Sequence, residues 1–271
     1  MSFPILETRD LTIEYRLSGA GPSKMMTAVR SVSISIAEGE ILGLVGESGS
    51  GKSSLAKAVT GLVPVSRGQI FFDGIDLVGL SGRRRRPYGA QIQMVFQDPY
   101  SSLDPSLPIG KTILEPLEVH KVGTGEERRR RVIEALRLVG LEEEHTERYP
   151  HQFSGGQRQR IAIARAIVGR PRVLICDEAV SALDVSTRNS VLNVLRRLRS
   201  ELGLTMLFIS HDLGVVRVLC DRAAVMLNGS IVETGPVESI YDTPESDYTR
   251  ELLNAIPRLD PTHRRLRRVP E

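Results

Sequence analysis

Ile41-Leu42-Gly43-Leu44-Val45 is an unbroken apolar run, and Gly46-Glu47-Ser48-Gly49-Ser50-Gly51-Lys52-Ser53 follows it directly, fitting GxxxxGK[ST]. A strand that is apolar throughout is one covered on both faces. After the glycines a helix starts at Lys52, with Leu55, Val59 and Leu62 on one side at i, i+4 and i+7. Buried strand, glycine loop and helix N-terminus together make an anion site. The glycines let the backbone wrap phosphate oxygens with amide N–H groups inward, and the helix end adds partial positive charge. The spacing assigns Gly46, Glu47, Ser48, Gly49, Ser50, Gly51, Lys52, Ser53 and Ser54 to nucleotide binding. Lys52 is expected to reach the β- and γ-phosphates, and the Ser53 hydroxyl to ligate Mg²⁺.

The rest of the pattern fits an α/β fold built around that unit. Leu11–Tyr15 and Val32–Ile36 alternate as strands, with a polar, Gly-rich loop at 16–27. Further strands are expected at 69–73, 91–96, 172–176 and 205–210, and helices at 126–139, 157–169 and along the Val191, Leu195, Leu198, Leu202 stripe. Strands alternating with helices indicate a parallel sheet. Residues 224–233 form a hairpin around Asn228-Gly229, and 245–255 a closing helix. Between about 100 and 150, Pro99, Pro105, Pro108 and Pro116 interrupt the pattern, and the stretch reads as a helical insertion.

Composition removes several classes. Of 271 residues, 41% are hydrophobic and 25% charged, which is globular rather than disordered. The net charge of +3 is carried by residues 258–271, which hold five Arg against Asp260 and Glu271. The body is neutral, which argues against a nucleic-acid binder with a broad basic face. Cys176 and Cys220 lie far apart without a CxxC, so neither a zinc motif nor a disulfide framework is expected. No signal peptide or membrane span is expected, so a membrane role has to come through a partner.

Two further constellations carry chemistry. Arg172-Val173-Leu174-Ile175-Cys176-Asp177-Glu178 is an apolar strand ending in two carboxylates. The C-terminal edge of a parallel sheet is where ligands sit. Asp177 there is expected to hold Mg²⁺ through a shared water. Glu178, turned the other way by strand alternation, is expected to take a proton from, or orient, the water attacking the γ-phosphate. Phe153-Ser154-Gly155-Gly156-Gln157 opens a helix with free amide donors, yet the chain holds one phosphate loop. Either Ser154 caps this helix, or the end meets a phosphate held by another subunit, making a two-fold dimer with composite sites.

With these elements in this order, the chain resembles the ATP-binding cassette (ABC) family over nearly all its length. The resemblance implies a P-loop NTPase fold of the ABC type, with an antiparallel β subdomain and a helical insertion at about 100–165. Gly46–Ser53 is similar to the family's Walker A, Ser154–Gln157 to its signature and Cys176–Glu178 to the end of its Walker B. Gln97 matches the Q-loop glutamine, Ser181-Ala182-Leu183-Asp184 the D-loop and His211 the switch histidine. Tyr15 falls where the family has an aromatic that stacks on adenine.

The implied roles follow. Gln97 ligates Mg²⁺ and senses the transport partner; His211 contacts the γ-phosphate. Ser154, Gly155, Gly156 and Gln157 close over ATP bound by the opposite subunit, and Asp184 links the two sites. Gln97–Pro105, Arg148–Phe153, Ser181–Ser186 and Tyr248-Thr249-Arg250 with Ala255-Ile256-Pro257 resemble the dipeptide, oligopeptide and nickel importer branch. Residues 1–245 are then the ATPase domain and 246–271 a C-terminal segment of that branch. ATP and Mg²⁺ are the implied cofactors. The implied partners are a second ATPase subunit, identical or homologous, two transmembrane permease subunits and an extracytoplasmic binding protein, with no nucleic acid. The implied place is peripheral, on the cytoplasmic face of the cell membrane. Peptide import is the leading reading. Nickel or opine import in the same branch is one alternative, and an ABC ATPase unconnected with transport another. The loop at 97–105, with Tyr100 and Leu103, is expected to receive a short permease helix. Ala179 stands where the family has Pro, and with no cysteine-containing extension an iron–sulfur cluster is not expected.

Overall fold

The computed structural model describes residues 4–16, 25–98, 102–181 and 183–255. Tyr100, Ala182, the center of the 16–27 loop and the tail from 256 therefore lie outside the described residues. The apolar runs become the middle of a six-stranded sheet in the order β10-β9-β3-β8-β7-β6. Its members are β3 (Ile41–Val45), β6 (Ile92–Val95), β7 (Val173–Asp177), β8 (Thr205–Ser210), β9 (Arg222–Leu227) and β10 (Ser230–Pro236). The five strands β9, β3, β8, β7 and β6 pair in parallel, and β10 closes antiparallel on β9 through the expected Asn228-Gly229 turn.

Strand alternation divides the interior into two cores. Ile41, Val45, Leu174, Cys176, Met206 and Phe208 face one. Leu42, Leu44, Val173, Ile175, Leu207 and Ile209 face the other. That is why these strands are apolar at every position. The second core is closed by α1 (Lys52–Thr60) and by an antiparallel sheet in the order β2-β1-β4-β5. Here β1 is Leu6–Arg16, β2 Met25–Ile36, β4 Arg67–Phe72 and β5 Ile75–Asp76.

The first core is closed by the insertion, which is more helical than its prolines indicate. Before the insertion, helix α2 (Gly82–Gln91) contains Pro87; within it, α3 (Ile109–Val119) begins behind Pro108 and contains Pro116. Ile109, Ile113 and Leu117 of α3 pack inward with Val132, Ala135 and Leu136 of α4 (Gly125–Leu138). Burial of that stripe outweighs the local penalty of one proline. The chain continues through α5 (Gly155–Ile167), α6 (Val185–Leu202), α7 (Leu213–Leu219), α8 (Val237–Asp242) and α9 (Asp247–Asn254).

One expectation is corrected. Leu103 is 3% exposed and belongs to the first core. It fills the interior beneath the insertion, so it cannot form a docking surface. Few long apolar groups in a loop say nothing about where the one present points. Exposed apolar side chains among the described residues here include Phe96, just after β6, and Leu107.

Candidate functional site

The glycine loop joins β3 to α1 below an open cleft of about 870 Å³, whose lining includes Met26, Arg30, Lys52, Gln97, Glu178 and Asn228. Gly51 is the N-cap of α1 with φ 106°, and a Cβ there would lie 2.2 Å from the Ala28 carbonyl oxygen. Only glycine permits both that backbone and that approach. No side chain caps α1, so its first amides stay available to an anion.

Lys52 is 4% exposed. Its ammonium donates to the Gly46 carbonyl at 2.8 Å, the Glu47 carbonyl at 2.7 Å and Ser50 Oγ at 3.3 Å. Burial pushes its pKa down, while the Glu178, Asp177 and Glu47 carboxylates oppose that shift. The Ser53 hydroxyl donates to Asp177 Oδ1 at 2.9 Å, joining the loop to the end of β7 across 124 residues. Burial pushes the Asp177 carboxyl up, and the Ser53 hydrogen bond partly offsets it.

Glu178 does not follow the strand's alternation. Strand β7 ends at Asp177, and Glu178 has a left-handed φ of 48°, with its N–H bonded to the Ile209 carbonyl at 3.1 Å. The turn brings its carboxylate into the same cleft as the loop. Gln97 Nε2 donates to Glu178 Oε2 at 3.0 Å, and His211 Nδ1 lies 3.6 Å from the same oxygen. Three residues from the ends of β6, β7 and β8 thus converge on one point, as the parallel sheet requires.

Tyr15 stands beside this cleft and is not among the residues that line it. Its ring packs against the second core and its hydroxyl donates to Ser54 Oγ at 3.2 Å. Its cross-strand partner Met26, 48% exposed, lines the cleft at that level. A strand-face tyrosine reads the same from sequence whether its ring faces the cleft or the core.

The signature end of α5 is capped. Ser154 Oγ accepts the Gln157 N–H at 3.3 Å, and Gln157 Oε1 accepts the Ser154 N–H at 2.9 Å. Both readings of this segment therefore remain compatible, because the box leaves the Gly155 and Gly156 amides at the helix start. A Cβ on Gly156 would lie 2.0 Å from Thr187 Cγ2. The Thr187 hydroxyl donates to Asp184 Oδ2 at 2.7 Å, and Asp184 also accepts the Ser186 and Thr187 N–H groups, both at 3.0 Å. The Ser186 hydroxyl, which donates to Asp184 Oδ1 at 2.6 Å, and then these donors hold its carboxyl well below the usual range. Arg188 donates to Asp212 Oδ2 at 2.9 Å, tying this segment to the residue after His211.

Sequence reasoning missed Thr187, Arg188 and Met26. Only Thr187 left a signal, since an ASP-x-x-Thr spacing at a helix start places a hydroxyl beside the cap. No cluster of three or more His, Cys, Asp or Glu suited to a metal occurs among the described residues. Ser53 and Asp177 are nevertheless hard oxygen donors in contact, which suits Mg²⁺, an ion that takes few protein ligands and keeps several waters.

The defining pattern of the family described as ABC transporter matches residues 29–181, and that of the oligopeptide/dipeptide transporter C-terminal region matches 232–271. A glutathione import ATP-binding protein of Salmonella typhi is 47% identical over 98% of this chain and 43% of its own length. The chain thus spans less than half of that relative. A putative peptide import ATP-binding protein of Brucella ovis is 46% identical, covering 98% of this chain and 83% of that protein. Among solved structures, a dimeric ATP-binding cassette in a post-hydrolysis state bound to ADP and Pi superimposes with a TM-score of 0.76 at 30% identity, covering 86% of this chain and 98% of that one. A cassette from Clostridium perfringens, part of an ABC transporter complex, gives 0.78 at 29% identity, covering 95% and 97%.

Proposed function

The chain belongs to the ABC transporter family, and on that premise we propose that it is the ATP-binding and hydrolysing subunit of a multi-subunit importer, most directly of peptides. The observation that carries the reading is the convergence of Gln97 and His211 on Glu178 above the Lys52 loop. Phosphate oxygens replace the loop carbonyls as acceptors for Lys52. The base end of the nucleotide lies toward β1 and β2, where Tyr15 and Met26 stand. Glu178 acts as the base for the attacking water, and Gln97 and His211 hold its carboxylate in place. Ser53 and Asp177 would hold Mg²⁺, with Gln97 as a further ligand from the same cleft lining as Ser53; the ion would supply charge neutralisation on the phosphates. Ser154–Gln157 and Asp184 meet the nucleotide of a second ATPase subunit.

No described helix is long and apolar enough to cross a membrane, so we assign the membrane step to permease partners, with the chain peripheral on their cytoplasmic side. A binding protein outside the membrane delivers substrate. Residues 246–271 serve as the branch's C-terminal segment. Peptide chemistry rests on the C-terminal match and on the named relatives. To test it, the purified chain is assayed for phosphate release from ATP with Mg²⁺ and with chelator, and cells lacking the chain for uptake of labelled dipeptide, glutathione and nickel. Mg²⁺-dependent hydrolysis and loss of peptide uptake are expected. A chain that binds no nucleotide overturns the enzyme reading, and loss of nickel uptake alone overturns the peptide one.

A further inference from the structure

Helix α9 plays no part in the chemistry above, yet it is fixed against the site. Glu233 of β10 accepts the Glu245 N–H at 2.9 Å and the Ser246 N–H at 3.0 Å, holding the start of the helix. Thr249 is fully buried, and Leu252 and Leu253 pack against the first core. Between these anchors the Tyr248 hydroxyl accepts the backbone N–H of Glu47, inside the phosphate loop, at 3.0 Å across 201 residues. Burial pushes the Tyr248 phenol up, so it is a neutral hydroxyl near neutral pH.

The Glu47 N–H shares one peptide unit with the Gly46 carbonyl. That carbonyl accepts the Lys52 ammonium at 2.8 Å. There are no cis peptides among the described residues, and a trans peptide is a rigid plane with its N–H and C=O on opposite edges. Tyr248 therefore holds one edge of a plane whose other edge holds Lys52. Gly46 lacks a Cβ to restrain the plane from its own side. The next carbonyl, that of Glu47, accepts the same ammonium at 2.7 Å and the Ser50 N–H at 3.2 Å.

We propose that Tyr248 is a positioning residue for the nucleotide, its hydroxyl setting the Gly46–Glu47 peptide plane and through it the place of the Lys52 ammonium, so that helix α9 is part of the phosphate site. The inference rests on the ATPase reading and adds to it a residue outside the lining of the cleft.

The test is Tyr248→Phe in the full chain, which removes the hydroxyl and keeps the ring. Binding of a fluorescent ATP analogue, steady-state hydrolysis and thermal melting are measured side by side with the unsubstituted protein. Loss of one hydrogen bond in the loop is expected to raise Kd and KM for ATP about threefold to tenfold. The maximal rate is expected to change by less than about twofold, because Glu178 and its partners are untouched. A variant with unchanged Kd and KM overturns the proposal. So does one whose loss of affinity disappears when binding is measured well below its lowered melting temperature. If the unsubstituted protein itself binds no nucleotide, the ATPase reading fails instead, and the two failures stay distinct.

Discussion

Helices α1 and α5 both begin in glycine-rich segments, but the chain surrounds and caps the two N-terminal ends differently. At α1 the cap is Gly51, no side chain caps the first amides, and Lys52 and Ser53 of the helix start lie beside Asp177 and Glu178 at the end of β7. At α5, Ser154 and Gln157 satisfy each other's amides in a capping box, and Ser154 is exposed. The first end is finished by ligand chemistry inside one chain. The second is closed by its own capping box, with Ser154 exposed and Gly156 buried against Thr187.

The comparison can be broken first at Glu178. Glu178→Gln keeps the shape and the Gln97 contact but removes the base, and phosphate release is expected to fall about a hundredfold to ten-thousandfold while ATP still binds. Turnover near that of the unsubstituted protein would place the base elsewhere. Lys52→Ala deletes a charge-assisted donor, and nucleotide affinity in an equilibrium titration is expected to fall roughly tenfold to a hundredfold. An unmoved Kd would remove the loop from the site.

On the α5 side the expected effects are on packing and assembly. Gly156→Ala sets a methyl group against Thr187 Cγ2, and overpacking there is expected to cost about 1–3 kcal/mol in denaturant unfolding. Adding Thr187→Ser keeps the hydroxyl for Asp184 and removes the methyl, so most of the loss is expected to return. No recovery would mean that α5 and α6 are not packed at this contact. Ser154→Ala, the smallest change, is expected to cost about 1 kcal/mol by loss of the cap. Nucleotide affinity of the isolated subunit is expected to stay the same while ATP-driven dimerization in sizing experiments weakens. A change in the monomer's own ATP affinity would show that the two helix ends are not separate.

Much of this was legible in the residues because it is local. The apolar strands β3, β7 and β8 could be read from composition alone, since a strand between two cores has no polar face. The glycine loop could be read because its geometry admits few residues. Helices α2 and α3 could not, because each carries a proline and α3 is held by its buried stripe. Leu103 misled because it faces the core from a segment whose pattern allowed either side.

The sequence by itself determined the phosphate loop, the strand–helix order and the identity of the polar groups at the strand ends, because backbone period and glycine chemistry act within a few residues. Tertiary structure alone decided which groups meet. The left-handed turn at Glu178 put its carboxylate beside Gln97 and His211 rather than on the opposite face. The fit of Gly156 against Thr187 and the reach of Tyr248 to Glu47 join segments 31 and 201 residues apart. Such contacts depend on how packed elements tilt and approach, and no local pattern carries that information.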